Sequence, residues 1–150
     1  GLSTVSLRYF NVFGPRQDPS SQYAAAIPAF VTCILRDEPP IVYGDGEQTR
    51  DFTYIENVVR GNMLAAGADG LRGQVVNLAC GDHVTVNHVI ARINELLGKH
   101  VAAKHVDPRP GDIRHSWADI SQARELLRFE PIASFDEGLR LSIDWYAANL

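Results

Sequence analysis

An α/β fold is what this sequence predicts, and three observations carry the prediction. Short apolar runs of strand length occur at Ser3–Phe10, Ile41–Tyr43 and Val75–Leu78. Between and after them lie two helical stripes, Ile27, Phe30, Val31, Ile34 and Leu35, then Val89, Ile90, Ile93, Leu96 and Leu97. Helix punctuation stands where those stripes start and stop, as at Thr85 and Gly98. Two periods alternating along one chain are the pattern of helices packed on a sheet, and 150 residues suffice for one domain with its own core.

Ser3–Phe10 alternates, with Val5, Leu7 and Tyr9 on one side, and reads as a strand. A polar, proline-bearing loop follows over Asn11–Ser21. Pro28 suits a helix start, where its missing N–H costs little, and that helix ends near Arg36. Asn57 is positioned to cap a helix over Val58–Ala66, which stops in the turn region Gly67–Gly73. Val75–Leu78 is a short strand. Thr85 caps the second stripe, and Gly98 closes it as a C′ residue. Ala103–Val106 reads as a weaker strand, followed by the stiff loop Asp107–Asp112. Asp119 with Gln122, and Ser134 with Glu137, have the spacing of capping boxes; they open a short helix to Leu127 and a last one to about Asn149.

Composition excludes several classes. A net charge of -4 with scattered Lys and Arg gives no basic face for nucleic acid or an anionic membrane, so phosphate can be held only by a few placed arginines. Cys33 and Cys80 form no CxxC pair and read as reduced core residues of a cytoplasmic protein. The five histidines fall in no metal-ligand spacing with them, so no metal site is expected. No apolar run approaches the ~18 residues of a membrane span, and no leader is recognised.

Tyr43–Ile55 is the stretch around which the rest is organised. The turn Gly44-Asp45-Gly46 separates Ile41-Val42-Tyr43 from Phe52-Thr53-Tyr54-Ile55, which predicts a hairpin. Such a turn can hold the Tyr43 ring near the Arg50 guanidinium. A ring for a base and a planar fork for phosphate oxygens suit a nucleotide. A core tyrosine and a surface arginine on an ordinary hairpin explain the same residues.

The catalytic inventory is thin. The sequence has no G-x-G-x-x-G, no G-x-x-x-x-G-K-[ST] and no G-x-S-x-G, and none of its tyrosines is followed four positions later by lysine. Asp18, Glu47 and Asp51 stand near turns, where acids are usually solvated caps. What remains is a set of loops able to converge. Asn11 ends a strand, Arg16 and Gln17 follow, Arg50 leaves the turn, and Arg109 and Asp112 lie in the proline-stiffened loop. Loops at strand ends are the normal ligand-binding place in open α/β sheets.

Several motifs, in order, resemble one family. Leu7-Arg8-Tyr9-Phe10-Asn11-Val12-Phe13-Gly14-Pro15-Arg16-Gln17-Asp18-Pro19 is similar to the segment after the catalytic Tyr-x-x-x-Lys helix of nucleotide-sugar epimerases and dehydratases, the extended short-chain dehydrogenases/reductases. Val42–Gly46 with Arg50-Asp51-Phe52, then Asn77-Leu78, then Arg109–His115 continue the match over essentially the whole chain. Arg16–Pro19, Gln22–Pro28 and Gly111–Ser116 resemble the UDP-N-acetylglucosamine 4-epimerase branch of the UDP-glucose 4-epimerases.

The resemblance implies roles. Tyr9 and Phe10 would lie beside the nicotinamide of NAD, and Asn11 would bond the substrate diphosphate. Tyr23, Ala24 and Ile27, with Tyr43, would frame the uracil of a UDP-sugar. Arg50 and Arg109 would grip the diphosphate, Asp112 would meet the ribose, and Asn77 would stand near the nucleotide. Plain core aromatics at Tyr9, Phe10 and Tyr43 and a backbone-capping Asn77 are the alternatives. The family's glycine-rich NAD loop and its Tyr-x-x-x-Lys have no counterpart in this sequence. The expectation is therefore the C-terminal, substrate-binding part of a Rossmann-type fold, a small mixed sheet plus helices, with the first strand orphaned from a missing sheet. It would bind UDP-sugar but not turn it over alone. Its first strand would self-associate or meet a missing N-terminal half. A 4,6-dehydratase or decarboxylase fragment, or a non-catalytic nucleotide-sugar module, shares most of these motifs.

Overall fold

The computed structural model describes residues 2–18 and 26–149. In chain order the elements are β1 (Thr4–Tyr9), β2 (Val12–Phe13), α1 (Ala26–Leu35), β3 (Ile41–Tyr43), β4 (Thr49–Arg50), β5 (Thr53–Tyr54), α2 (Ile55–Ala66), β6 (Arg72–Leu78), β7 (Val84–Thr85), α3 (Val86–Leu97), β8 (Lys104–Val106), β9 (His115–Ser116), α4 (Ser121–Leu127) and α5 (Phe135–Asn149). The mixed α/β expectation holds, and most pairings are parallel: β1 with β6, β2 with β5, β3 with β8. A three-stranded sheet has the order β7-β4-β9, with β4 antiparallel to β7 and parallel to β9.

The buried side chains form two cores, and both helical stripes pack into the first. In the first, α1, α3 and α5 close over Phe13, Phe52 and Tyr54; Val31, Ile34, Val89, Ile93 and Leu139 are fully buried there. The second lies under β1 and β6, where Val76, Leu78, Ala123, Leu127 and Phe129 meet the half-buried Val5 and Leu7. Fully burying each such large side chain is worth roughly 1.5–3 kcal/mol.

Local signals performed unevenly. Thr85 accepts from the His88 N–H at 3.0 Å, Gly98 closes α3 at φ 62°, and Ser134 accepts from the Glu137 N–H at 3.2 Å, all as expected. Three expectations are corrected. Asn57 does not cap α2, which starts at Ile55; its side chain is fully buried in the helix and bonds the backbone of Ile132 and Ala133. Asp119 takes the Ser121 N–H at 2.8 Å in a turn, so α4 starts two residues later without a capping box.

The third is the hairpin over 43–55, which does not form. Gly44 (φ 81°) and Gly46 (φ 78°) do turn the chain, but β3 pairs with β8 and β4 with β7 and β9. The reason is that both limbs find longer-range partners, while Asn87 at the start of α3 donates from Nδ2 to the Asp45 carbonyl and from its backbone N–H to the Gly46 carbonyl and so ties the turn to that helix. The first strand keeps one open edge, as expected of a strand parted from a larger sheet, while β6 pairs with it along its other edge. Among the described residues no helix is long and apolar enough to cross a membrane, and no three His, Cys, Asp or Glu side chains gather as for a metal ion.

Candidate functional site

Short strands end together on one side of the molecule, and their loops enclose a divided cleft. One part, of about 440 Å³, is lined by Tyr43, Asp45, Gln48, Arg109, Asp112 and Arg114 among others. The other, of about 210 Å³, adds Asn11, Phe30, Arg50 and Phe52 to Tyr43, Gln48, Arg109 and Asp112. Tyr43, Gln48, Arg109 and Asp112 line both parts and thus form the partition between them.

Each wall has a local cause. Tyr43 is the last residue of β3, fixed because the next N–H, from Gly44, donates to the Val106 carbonyl at 2.9 Å. The left-handed Gly44 then turns the backbone beneath the ring. Arg109 comes from the loop after β8 and lies over that ring, its guanidinium carbon 3.9 Å from the centroid. This is a cation–π contact that presents a flat pair of surfaces. Arg50 ends β4; its Nη2 donates to Asp112 Oδ1 at 2.5 Å and its Nη1 to the Thr49 carbonyl at 2.8 Å. Asn11, left-handed at φ 35°, donates from Nδ2 to the Asp51 carbonyl at 3.2 Å, which ties the end of β1 to the Arg50 segment. At the rim Arg114 donates to Asp45 at 2.9 Å, and this bond holds the Asp45 carboxyl below its ordinary range.

Behind the cleft sits a group whose part the sequence concealed. Asp51 is fully buried, and its carboxylate accepts from the backbone N–H groups of Cys80, Gly81 and Ala118 at 3.0, 3.0 and 3.2 Å. Burial pushes its carboxyl up, against the pull of those three donors. It is a structural tie between the ends of β4, β6 and β9, which answers the solvated-cap reading of this acid. The neighbouring Cys80 thiol is pushed up to about 11 by burial and by the Asp51 carboxylate. Cys33 is raised by burial as well, and both cysteines are free.

The candidate residues separate into groups. Asn11, Tyr43, Arg50, Arg109 and Asp112 line one cleft together. Ile27 is buried in the first core, and its neighbour Ala26 lines the cleft instead. Asn77 lies outside the cleft and donates to the Asp119 carbonyl at 3.0 Å, the backbone-capping alternative. Tyr9 is half exposed and donates its hydroxyl to Asn62 Oδ1 at 3.0 Å, while Phe10 packs at the margin of the second core. Tyr23 and Ala24 lie outside the described residues. Sequence reasoning passed over Gln48, Asp45 and Arg114, all at the cleft. The spacing of Asp45 and Arg114 gave no hint of their pairing, and Gln48, just before β4, lines the cleft beside Arg50.

Residues 1–79 match the NAD dependent epimerase/dehydratase family. The chain is 45% identical to the UDP-N-acetylglucosamine 4-epimerase from Methanobrevibacter ruminantium M1, solved in complex with UDP-N-acetylmuramic acid. That match has a TM-score of 0.92 and covers 99% of this chain and 47% of the other. It is also similar to the UDP-glucuronic acid 4-epimerase from Bacillus cereus, solved with UDP-glucuronic acid and NAD: 34% identity, TM-score 0.90, 97% of this chain and 46% of that one. A curated relative, UDP-glucuronate 4-epimerase of Thermodesulfobacterium geofontis, is 34% identical over an alignment of 151 positions that spans all of this chain and 45% of the relative. The chain spans about half the length of the relatives it matches.

Proposed function

This chain belongs to the NAD dependent epimerase/dehydratase family, and from that premise we propose that it is the nucleotide-sugar-binding domain of a UDP-hexose or UDP-N-acetylhexosamine 4-epimerase. Its fold is part of the extended short-chain dehydrogenase/reductase fold of those epimerases. The observation that carries the proposal is the cleft in which Tyr43, Arg50, Arg109 and Asp112 meet from three separate segments. A diphosphate is an acceptor of hydrogen bonds only, and the two guanidinium forks offer it paired donors. The Tyr43 ring supplies an apolar face for the base, with Arg109 already lying over it. Asp112 supplies an acceptor suited to ribose hydroxyls, and Asn11 a further amide beside Arg50.

NAD is the family's cofactor, and its fit to these residues is one-sided. Tyr9 and Phe10 could form a flat wall, but the Tyr9 hydroxyl is engaged with Asn62, and the sequence contains no glycine-rich pyrophosphate loop. No step through NAD is assigned to these residues. The chain contributes grip and orientation: two arginines fix the diphosphate, and the sugar beyond it is then free to present either face. The sequence contains no Tyr-x-x-x-Lys pair to move the proton of a sugar hydroxyl.

Calorimetric titration with UDP tests the proposal. The 150-residue chain should bind UDP, and Arg50→Ala should weaken binding at least tenfold, the loss of about 1.5–3 kcal/mol expected for charge-assisted bonds. Equal binding by both proteins would remove the proposed grip. UDP-glucose should not be turned over by the chain with or without added NAD, and measurable turnover would refute the division of labour proposed here.

A further inference from the structure

The loop after β8 lies across the cleft, and two of its side chains sit on groups that a nucleotide would need. The flat Arg109 guanidinium covers the Tyr43 ring, its carbon 3.9 Å from the centroid, where a base would lie. The Asp112 carboxylate accepts from Arg50 Nη2 at 2.5 Å, where a phosphate oxygen would lie. Among the described residues three carboxylates line the cleft, Asp45, Asp107 and Asp112, and they are not equivalent. Asp45 pairs with Arg114 at the rim, whereas Asp112 pairs with Arg50. The other arm of the Arg50 fork is held by neutral acceptors, the Thr49 carbonyl at 2.8 Å and the Arg114 carbonyl at 3.5 Å. A phosphate group seeking a paired hold on this fork therefore meets a resident anion first, and two anions on one guanidinium repel.

The two contacts act together because they share one short, stiff segment. Pro108 and Pro110 flank Arg109, and the Asp112 N–H donates to the Arg109 carbonyl at 3.2 Å around the left-handed Gly111. Arg109 and Asp112 thus belong to one turn, and displacing either loosens the other. We infer that the Arg109–Asp112 turn is an autoinhibitory strap, which leaves the Tyr43 ring and Arg50 before a nucleoside diphosphate binds and whose carboxylate holds small anions off Arg50. This rests on the reading of the cleft as a nucleotide-sugar site and adds to it a closed state. A nucleoside diphosphate replaces both ends of the strap; inorganic diphosphate brings nothing for the ring and opens it from one end alone. Apparent affinity falls with the fraction of molecules held closed, so weakening the strap tightens binding.

The test titrates the 150-residue chain, Asp112→Asn and Asp107→Asn with inorganic diphosphate and UDP by calorimetry, and follows amide exchange over residues 109–114 without ligand in all three. Asp107→Asn is the control, since it removes the same charge from the same loop and Asp107 makes no ion pair with Arg50. Asp112→Asn should bind inorganic diphosphate roughly 2- to 10-fold more tightly than the wild type, so the preference for UDP over inorganic diphosphate falls. Asp107→Asn should gain much less. Exchange over 109–114 should be faster in Asp112→Asn than in the other two proteins. Unchanged or weaker binding of inorganic diphosphate by Asp112→Asn would overturn the inference, and so would unchanged exchange. Equal gains in both variants would overturn it too, because general repulsion would then suffice. If no protein binds UDP or inorganic diphosphate, the reading of the cleft falls, and the exchange comparison alone decides whether the strap exists.

Discussion

Asp51 is the residue on which the cleft's geometry rests, although it does not face the ligand space. Its two oxygens satisfy three buried N–H groups from segments far apart in sequence. An Asp51→Ala chain would leave those donors unpaired, and an unsatisfied buried polar group costs about 1–3 kcal/mol. We expect a loss of about 2–4 kcal/mol in urea unfolding, with partial relaxation keeping it below the full sum. A loss below ~0.5 kcal/mol would mean that the three bonds are not formed. Cys80 gives a second handle. With its thiol near 11, about one part in a thousand is thiolate at pH 8, so alkylation of the native chain should be slow there and rise about tenfold per pH unit. Because the unfolded thiol ionises first, near 9, its contribution to stability is intact below that pH and lost as pH rises towards 11. Rapid native labelling at pH 8 would contradict this. Arg50, Arg109 and Tyr43 were legible beforehand because their chemistry is visible in single residues. Asp51 was not, since its partners at positions 80, 81 and 118 are chosen by the fold and leave no mark at local spacing.

Helices were read with more success than strands, and the physical reason is range. A helix is bounded by contacts within four residues, so Thr85, Gly98 and Ser134 announce their roles. A strand's partner lies anywhere in the chain. The 43–55 segment contains a true glycine turn, yet its limbs pair with strands some sixty residues away, and a hairpin signal cannot register that. Asn57 misled for a similar reason: a good capping residue was recruited by a distant backbone at 132–133. Close packing gives the element scale its own prediction. Gly138 lies in α5, where alanine is ordinarily favoured by about 1 kcal/mol. A Cβ there would lie 2.6 Å from Cβ and Cγ of Tyr54, atoms of a rigid ring system set by β5. Gly138→Ala should therefore destabilise the protein by about 1–3 kcal/mol, opposite in sign to propensity. An unchanged or raised urea midpoint would show that α5 can move away from β5.

At the scale of the whole molecule, the longest of the three two-stranded parallel sheets, β1 with β6, has both outer edges unpaired among the described residues. Parallel strands are ordinarily covered on both sides, and an open edge offers a row of backbone donors and acceptors to another chain. Part of the apolar side of β1 is satisfied: Val5 and Leu7 turn towards the second core. What stays open is the outer edge of β1, with Tyr9 half exposed at its end, and beside it the Ile55, Val59 and Met63 stripe of α2. The spacing of that stripe, every fourth residue, makes it continuous along one helix face. We propose that copies of this chain associate through β1. The same edge would serve a longer protein as the seam where further strands are added. In sedimentation velocity the 150-residue chain should then sediment faster as concentration rises. Amide exchange over residues 4–9 should slow in parallel, because new inter-strand bonds protect N–H groups that are open in the monomer. A monomer mass at every concentration, with exchange in β1 independent of it, would overturn the proposal. Slowed exchange on α2 alone would move the contact from the strand edge to the Val59–Met63 face.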